Sequence, residues 1–493
     1  MIRHLIFLPI ILLGGLATIA STSQAAPQAT PLADSVVRVN STNQAYHFME
    51  PWSKRRPYTR RGIGVIMKNH QVLVSSDLLT DYNYVEIEEP TTGKKSPATV
   101  KVVDYRAGLA LLEPTKEGFL DSFKPADLNL YTQKGDAVQV MQLESNGTPV
   151  MTEGTVTAVQ VAPYSKAGSS NLTYQVNAPL LPQDGSFTVP LFRSQELIGI
   201  LLRYDRNNQS LDAIAAPVIK HFLEEAASEE YNGFGKTGIV MSSLRDPQLR
   251  QFVQLPENED GVYITNVLTG SPADEAGIEQ GDVLLAVNDV SIDRDGNYDH
   301  PLHGKIGILN YITNELHVGD TATFQLLRDG KPESVAVTVG KRTPDDEVIP
   351  SLSINEKPEY QMMGGLIFQP LTRRLLSEWG KNWRQRAPQQ LVYYDQFQDD
   401  IFDEKQEDLV ILTRVLRDES NIGYESLGMK VVTKVNDQTI HSFEDLQQAF
   451  ESPVDGFHKI EFDDSPNAIY LDADTVKARD TAIRRTYGLP AED

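Results

Sequence analysis

The first part of the chain alternates short apolar runs with polar turns. The runs are rich in β-branched residues, and turn-forming residues separate them throughout residues 32–225. Runs of this length and spacing are typical of the strands of an all-β barrel or sandwich. We therefore predict strands at 35–39, 64–67, 71–74, 99–103, 137–141, 154–161 and 197–202.

The pattern becomes helical at 216–225. Apolar residues recur there at the spacing that places them on one face of a helix. These residues are Val218, Ile219, Phe222 and Leu223. His221 belongs to the same segment. We expect it to be a partly exposed structural residue rather than a catalytic base.

Beyond residue 230 the pattern is that of a mixed α/β domain. Apolar runs GVYITNV (261–267) and GDVLLAVN (281–288) flank the segment GSPADEAGI (270–278). In that segment, Ser271 followed by proline opens a short helix and Gly277 ends it. The three segments resemble the signature of PDZ domains.

The amino terminus has the features of a cleavable secretory signal. Arg3 precedes an apolar run at 5–20, and small residues follow it up to Ala25. The run is short and contains Pro9, which argues against a transmembrane anchor. We predict a signal peptide at 1–25 and export, with the periplasm as the expected destination.

Composition narrows the classes of partner. The 493 residues suffice for about three domains, and the chain contains no cysteine, so it forms no disulfide. A net charge of -23 argues against nucleic acid or an anionic membrane as a general partner. Asp293, Asp295 and Asp299 alternate like calcium ligands, but no glutamate closes the loop. We interpret this segment as a turn and predict no metal site.

Segments of the β-rich region resemble trypsin-like proteases of the HtrA (Deg) type. GIGVIM (62–67) and VLVSSDLL (72–79) are similar to the strands around that family's catalytic histidine. VVDYRAGLALL (102–112) is similar to the stretch that carries its aspartate. QVNA (175–178) and PL (190–191) flank the segment that carries its serine.

The three residues of the catalytic triad are absent from these matching segments. The histidine position falls on Asp77 and the aspartate position on Gly108. The serine position falls on Phe187 when counted back from the PL pair, and on Gly185 when counted forward from QVNA. A triad needs an imidazole to take the serine proton and a carboxylate to orient it. Ser186 has no imidazole beside it in the sequence, so we do not expect protease activity.

The last part of the chain resembles the second PDZ domain of plant-type Deg proteases, through residues 360–372, 409–416, 421–424 and 431–437. The resemblance implies a mainly β fold with α+β parts, a trypsin-like double β-barrel followed by two PDZ domains. The implied domains are a degenerate protease-like domain at 32–225, a first PDZ domain at 231–342 and a second PDZ-like domain at 355–486.

The same resemblance implies assembly, because the bodies of such relatives form trimers or larger oligomers. Tyr46, Phe48 and Trp52 lie ahead of the predicted barrel, and aromatic side chains are common at stable interfaces. We therefore expect a homo-oligomer built on a trimer.

A PDZ domain binds an extended peptide as an added strand, and the backbone amides of a loop hold the terminal carboxylate. The resemblance assigns the loop and its strand to Lys236, Thr237, Gly238, Ile239 and Val240. It assigns the opposite wall to Ile308, Tyr311 and Ile312, on a helix around 305–314. The alternative is that these apolar residues only pack in the core.

The sequence therefore predicts an exported HtrA-like pseudoprotease that binds peptides or unfolded protein C-termini and needs no cofactor. Its expected role is scaffolding, chaperone-like capture or regulation in envelope protein quality control. Two alternatives remain open, an active serine endopeptidase with an unconventional catalytic site and a structural subunit that partners an active relative. The fold cannot choose among them, because function depends on the site.

Overall fold

The computed structural model of the protein describes residues 31–164, 168–181, 188–341, 347–402 and 406–491. The predicted signal peptide at 1–25 lies outside the described residues, as do Gly185, Ser186 and Phe187. Within the ranges described, no helix has the length and apolar character needed to cross a membrane.

The first unit is a closed β-barrel. Its strands are β1 (Val36–Asn43), β2 (Tyr58–Met67), β3 (Gln71–Ser75), β4 (Tyr82–Glu88), β5 (Lys95–Asp104) and β6 (Leu109–Pro114). They pair in the order β1-β2-β3-β6-β5-β4. Aliphatic side chains such as Val37, Ile66 and Val72 form a buried hydrophobic cluster of this barrel.

The second unit is also a closed barrel. Its strands are β7 (Ala137–Leu143), β8 (Pro149–Tyr164), β9 (Ser169–Asn177), β10 (Pro190–Arg193), β11 (Glu196–Asp205) and β12 (Ser210–Ala215), in the order β10-β11-β12-β9-β8-β7. Each predicted strand overlaps a strand of one barrel. The predicted double barrel is therefore confirmed.

Helix α1 (Ala216–Ala226) follows the second barrel and packs against its core. Val218, Ile219 and Phe222 are fully buried, which confirms the predicted apolar face. The expected partial exposure of His221 is wrong, because only 2% of this residue is exposed. The rings of Phe234 and His317, from the unit that follows, stack on its imidazole.

The third unit is a mixed α/β domain. Its strands are β13 (Ile239–Ser243), β14 (Val262–Val267), β15 (Val283–Val287), β16 (Val290–Ser291), β17 (Asn297–His300), β18 (Gly304–Gly307), β19 (Thr321–Arg328) and β20 (Lys331–Thr338). The main sheet runs β13-β14-β15-β19-β20, with β16 on β15, and β17 pairs with β18. Its helices are α2 (Pro247–Phe252), α3 (Pro272–Glu275) and α4 (Ile308–Asn310), which continues as a π-helical turn (Tyr311–Glu315).

The short helix predicted from the PDZ-like signature is confirmed. The side chain of Ser271 caps α3 by accepting a hydrogen bond from the Asp274 amide, and Gly277 follows with a φ of 78°. The helix expected around 305–314 starts later than predicted. Residues of β18 pair with β17 instead, so the helix begins at Ile308.

The fourth unit repeats this strand order. Its strands are β21 (Gln361–Met363), β22 (Leu366–Pro370), β23 (Val410–Val415), β24 (Lys430–Val435), β25 (Gln438–Thr439), β26 (Phe457–Phe462) and β27 (Ala468–Asp472). The sheet runs β21-β22-β23-β24-β26-β27, with β25 on β24. Its helices are α5 (Arg373–Leu376), α6 (Trp383–Arg386), α7 (Gln389–Ile401), α8 (Phe443–Phe450) and α9 (Ala473–Tyr487).

The fourth unit is docked on the first barrel and on the segment ahead of β2. Phe48 is buried in a core that α5, α6 and α7 provide. Arg106 pairs with Glu347 at 3.1 Å, and Arg374 pairs with Asp81. The aromatic segment expected to anchor subunit contacts is thus used partly within the chain, because Phe48 packs there and Trp52 lies 5.9 Å from the Tyr360 ring.

Candidate functional site

Asp77, which the resemblance places at the catalytic histidine, is a carboxylate hydrogen-bonded to the second barrel. Asp77 lies in a 3₁₀ turn (Ser76–Leu79) that follows β3. The hydroxyl of Tyr164, at the end of β8, donates a 2.8 Å hydrogen bond to Asp77 Oδ1. Burial, and then the charge of Asp77, raise the pKa of Tyr164 well above its usual range, so the hydroxyl stays protonated.

Gly108, which the resemblance places at the catalytic aspartate, has little space for a side chain. Gly108 has a φ of 77°, a backbone conformation that favours glycine. A Cβ placed there would lie 3.0 Å from Ile214 Cδ1 and 3.6 Å from Tyr164. The Gly108 carbonyl still accepts a hydrogen bond from the Ser76 amide. The backbones of Ser76 and Gly108 are therefore hydrogen-bonded to each other, and the side chains around Gly108 are apolar or aromatic.

Thr188 is the first described residue after the segment that the resemblance assigns to the catalytic serine. This residue is fully buried, and its Oγ1 accepts a 3.1 Å hydrogen bond from the Ser75 amide. Its carbonyl accepts a second hydrogen bond from the Ile63 amide. A Cβ on Gly62 would lie 3.0 Å from the Thr188 nitrogen, so a larger residue there would require Thr188 to shift.

His70, the histidine nearest to Asp77 in the sequence, belongs to the turn before β3. Its side chain is 66% exposed and lies 3.7 Å from Asp121. It is therefore a solvated turn histidine.

The predicted peptide strand is an edge strand. β13 pairs with β14, and no strand among the described residues pairs with its other side. The Gly238 carbonyl accepts a 2.8 Å hydrogen bond from the Leu268 amide across that pair. Because hydrogen-bonding direction alternates along a strand, the amide and carbonyl of Ile239 point away from β14. An incoming peptide strand would meet these groups.

The loop before β13 is held by its own domain. The Thr237 carbonyl accepts from the Ala273 amide, and the backbone of Lys236 pairs with Gly340 in both directions. Gly238 has a φ of 82°, and a Cβ there would overlap the side chain of Ser271. Glycine is therefore required by the loop itself, before any ligand is considered.

The residues assigned to the opposite wall differ in exposure. Ile308 and Ile312 are each 1% exposed and belong to the main core, as the alternative interpretation expected. Tyr311 is half-buried, and its hydroxyl accepts a 3.1 Å hydrogen bond from Asn288. The exposed apolar side chain of this helix is Leu309, at 48%. Sequence reasoning passed over Leu309 because it selected the face that recurs with helical period.

The corresponding edge in the fourth unit is covered by the chain itself. β22 occupies the place that β13 has in the third unit, and β21 pairs antiparallel along it. Gly364 and Gly365 form the two-residue turn between them, with φ values of 56° and 85°. Positive φ at both positions is what such a hairpin turn requires. The sequence contained this signal, but sequence reasoning did not use it.

Comparisons with known proteins agree with this architecture. Models of the PDZ domain match residues 252–339 and 349–493. Protease Do-like 2, chloroplastic, from Arabidopsis thaliana is 26% identical over 465 residues, covering 93% of this chain and 74% of the relative. Protease Do-like 4, mitochondrial, from the same plant is 23% identical over 428 residues, covering 85% and 77%.

Among solved structures, the HtrA-type protease AlgW with decapeptide matches with a TM-score of 0.49 and 17% identity, covering 63% of this chain and 97% of that one. The similarity to Do-like proteases over most of the chain and the two PDZ matches together indicate the family. The chain belongs to the HtrA/Deg family and joins a trypsin-like double β-barrel to two PDZ domains.

Proposed function

We propose that this protein captures peptides or unfolded protein C-termini through its first PDZ domain and does not cleave them. The open edge of β13, next to the loop at Thr237 and Gly238, is the observation that carries this proposal. An added strand gains main-chain hydrogen bonds along such an edge, and loop amides are suited to a terminal carboxylate.

The first PDZ domain is the better candidate of the two. In the second domain, β21 takes the side of β22 on which a peptide would add. A ligand there would first have to displace a strand whose Met362 is buried. The first domain has no such cost among its described residues.

Recognition of an apolar side chain would use exposed groups. Val240 on β13 is 44% exposed and Leu309 on the facing helix is 48% exposed, whereas Ile308 and Ile312 already pack in the core. Lys236 and the amides at Gly238 and Ile239 would attract the carboxylate. Tyr311 remains a candidate for the wall, with its ring only partly buried.

The direct test is calorimetry on the mature chain with one peptide in two forms, ending in a free apolar carboxylate or in its amide. We expect binding on the order of micromolar for the acid and much weaker binding for the amide. Lys236→Ala should weaken binding of the acid, while Lys341→Ala, which removes a nearby lysine paired with Glu230, should not. Equal binding of both peptide forms, or none, would exclude this site.

The second part of the proposal is that the protein has no protease activity. It rests on the hydrogen bond between Tyr164 and Asp77 and on the restricted space at Gly108. The active alternative would need Ser186 as nucleophile. A fluorophosphonate probe should leave the mature chain unlabelled, and labelling that disappears in Ser186→Ala would favour the alternative.

Export to the periplasm and assembly into a trimer-based homo-oligomer complete the proposal. The apolar run ahead of Ala25 supports export, and the resemblance to Deg proteases supports assembly. Oligomerisation would raise the avidity of a weak PDZ site. Light scattering at micromolar concentration should give a multiple of the monomer mass, and a monomer would rule assembly out.

A further inference from the structure

Helix α1 presents His221 and Glu225, two side chains of types that can bind metal ions, toward the first PDZ domain. His221 and Glu225 are four residues apart, so they lie on one face of the helix. Both are buried, at 2% and 6% exposure. His317, which follows the π-helical turn of the PDZ domain, reaches the same place from the other side of the junction.

The three side chains form a compact cluster. One ligand atom from each lies within 4.8 Å of the others. His317 Nδ1 is 2.6 Å from Glu225 Oε1. The rings of His221 and His317 are nearly parallel, with centroids 4.5 Å apart.

The environment of the His221 ring is unusual for a neutral imidazole. Nδ1 lies 3.1 Å from the carbonyl oxygen of Asn314, and Nε2 lies 3.3 Å from that of Gly233. A neutral imidazole carries a single N–H, so only one of these contacts is a hydrogen bond. The other nitrogen directs its lone pair at a carbonyl oxygen and receives no hydrogen-bond donor from these two contacts.

We propose that His221, Glu225 and His317 form a binding site for a divalent transition-metal ion of the zinc class. Two imidazoles and a carboxylate are a donor set that Zn²⁺ prefers. This assignment departs from the sequence-based prediction of no metal site, which considered only the acidic turn around Asp293.

The surroundings suit a ligand role. An imidazole binds a metal ion through one nitrogen and keeps an N–H on the other. A backbone carbonyl can then hold the remaining N–H, the usual partner of a metal-bound imidazole. Parallel rings cannot direct both lone pairs at one ion, so the His317 ring must turn. Its side chain is 41% exposed, which leaves it that freedom.

An ion at this place would join α1 to the PDZ domain. Asn314 belongs to the turn that continues α4, and Gly233 belongs to the link between α1 and β13. The ion would therefore fix the orientation of the first PDZ domain relative to the double barrel. This consequence does not depend on what the domain binds.

The test is zinc titration of the tag-free mature chain, after dialysis against a chelator, by calorimetry at pH 7.5. We expect one Zn²⁺ per chain with a dissociation constant on the order of micromolar or tighter. Zinc should also raise the unfolding temperature, because it binds only the folded chain. His317→Asn keeps a donor for Glu225 but is a poor zinc ligand, so it should weaken binding by at least about 100-fold.

His70→Asn is the matched control, since His70 also lies beside a carboxylate but in an exposed turn. It should bind zinc as the unaltered chain does. Glu225→Gln provides a second loss-of-ligand variant, and circular dichroism checks that each variant is folded. Absence of saturable zinc binding, or equal affinity in the unaltered chain and in folded His317→Asn, would overturn the proposal.

Discussion

The hydroxyl of Tyr164 lies 2.8 Å from Asp77 Oδ1 and donates a hydrogen bond across the junction of the two barrels. In an active HtrA protease this region has to leave an imidazole accessible to a serine. Here it holds a part-buried hydrogen bond between the barrels. The first predictions concern the cost of disturbing it.

Tyr164→Phe should destabilise the double barrel by about 1–2 kcal/mol, because Asp77 loses a part-buried hydrogen-bond donor. Chemical denaturation followed by fluorescence measures the change. Tyr84→Phe is the control, because its hydroxyl is exposed and lies 3.4 Å from Glu86. Equal stability changes in the two variants would show that the Tyr164 contact contributes nothing special.

Gly108→Asp, which restores the family's acid, should destabilise the fold by more than about 3 kcal/mol. The aspartate would adopt a φ of 77° and meet Ile214 in an apolar space. Gly93→Asp separates the two causes, because Gly93 has a φ of 70° but nothing within 4 Å of its added Cβ. Its cost should be only the strain of about 1–2 kcal/mol. Similar values for both variants would mean that the site at Gly108 can relax.

Gly238→Ala should weaken binding of a carboxyl-terminated peptide at least about tenfold, because the methyl group would displace Ser271 and distort the loop. Gly277→Ala imposes a similar positive φ in the same domain without a steric neighbour. Calorimetry on both folded variants compares them. Undiminished binding by Gly238→Ala would place the carboxylate elsewhere.

His303 should make stability depend on pH. Burial, with a smaller effect from the stacked His300 ring, lowers the pKa of His303 to about 4, against about 6.5 in an unfolded chain. Between these values the unfolded chain binds more protons, so stability should fall as the pH falls from 6.5 toward 4. The ring lies against Tyr174, in the second barrel.

His303→Phe keeps an aromatic ring at this contact and should make the fall in unfolding temperature between pH 6.5 and 4 smaller than in the unaltered chain. His70→Phe removes an exposed imidazole and serves as the control. An identical fall in unfolding temperature in all three proteins would show that protonation of His303 does not destabilise the folded chain.

Local patterns predicted many of the secondary-structure elements, and the resemblance to HtrA (Deg) proteases supplied their arrangement into a double barrel and two PDZ domains. Alternating β-branched runs predicted the barrel strands, and the apolar face of α1 followed from the spacing of Val218, Ile219 and Phe222. The PDZ-like signature predicted α3 through Ser271 and Gly277. In each case the residues that determine the element are neighbours in the chain, so the sequence shows them together.

The site depended on contacts that the sequence does not show. Tyr164 and Asp77 are 87 positions apart, and nothing local marks them as partners. Helical periodicity showed that Ile308 and Ile312 share a face. It could not show whether that face packs in the domain core or lines the peptide-binding groove. The burial of His221 depends on rings from another domain. The exact domain boundaries stay a prediction.

The central claim is that this chain binds a peptide and releases it uncut. The most direct measurement is mass spectrometry of a peptide with a free apolar carboxylate, recovered after hours of incubation at a concentration where calorimetry shows it bound. The account predicts intact peptide at full recovery. Fragments formed by the unaltered chain, and absent with Ser186→Ala, would contradict it and identify an active protease.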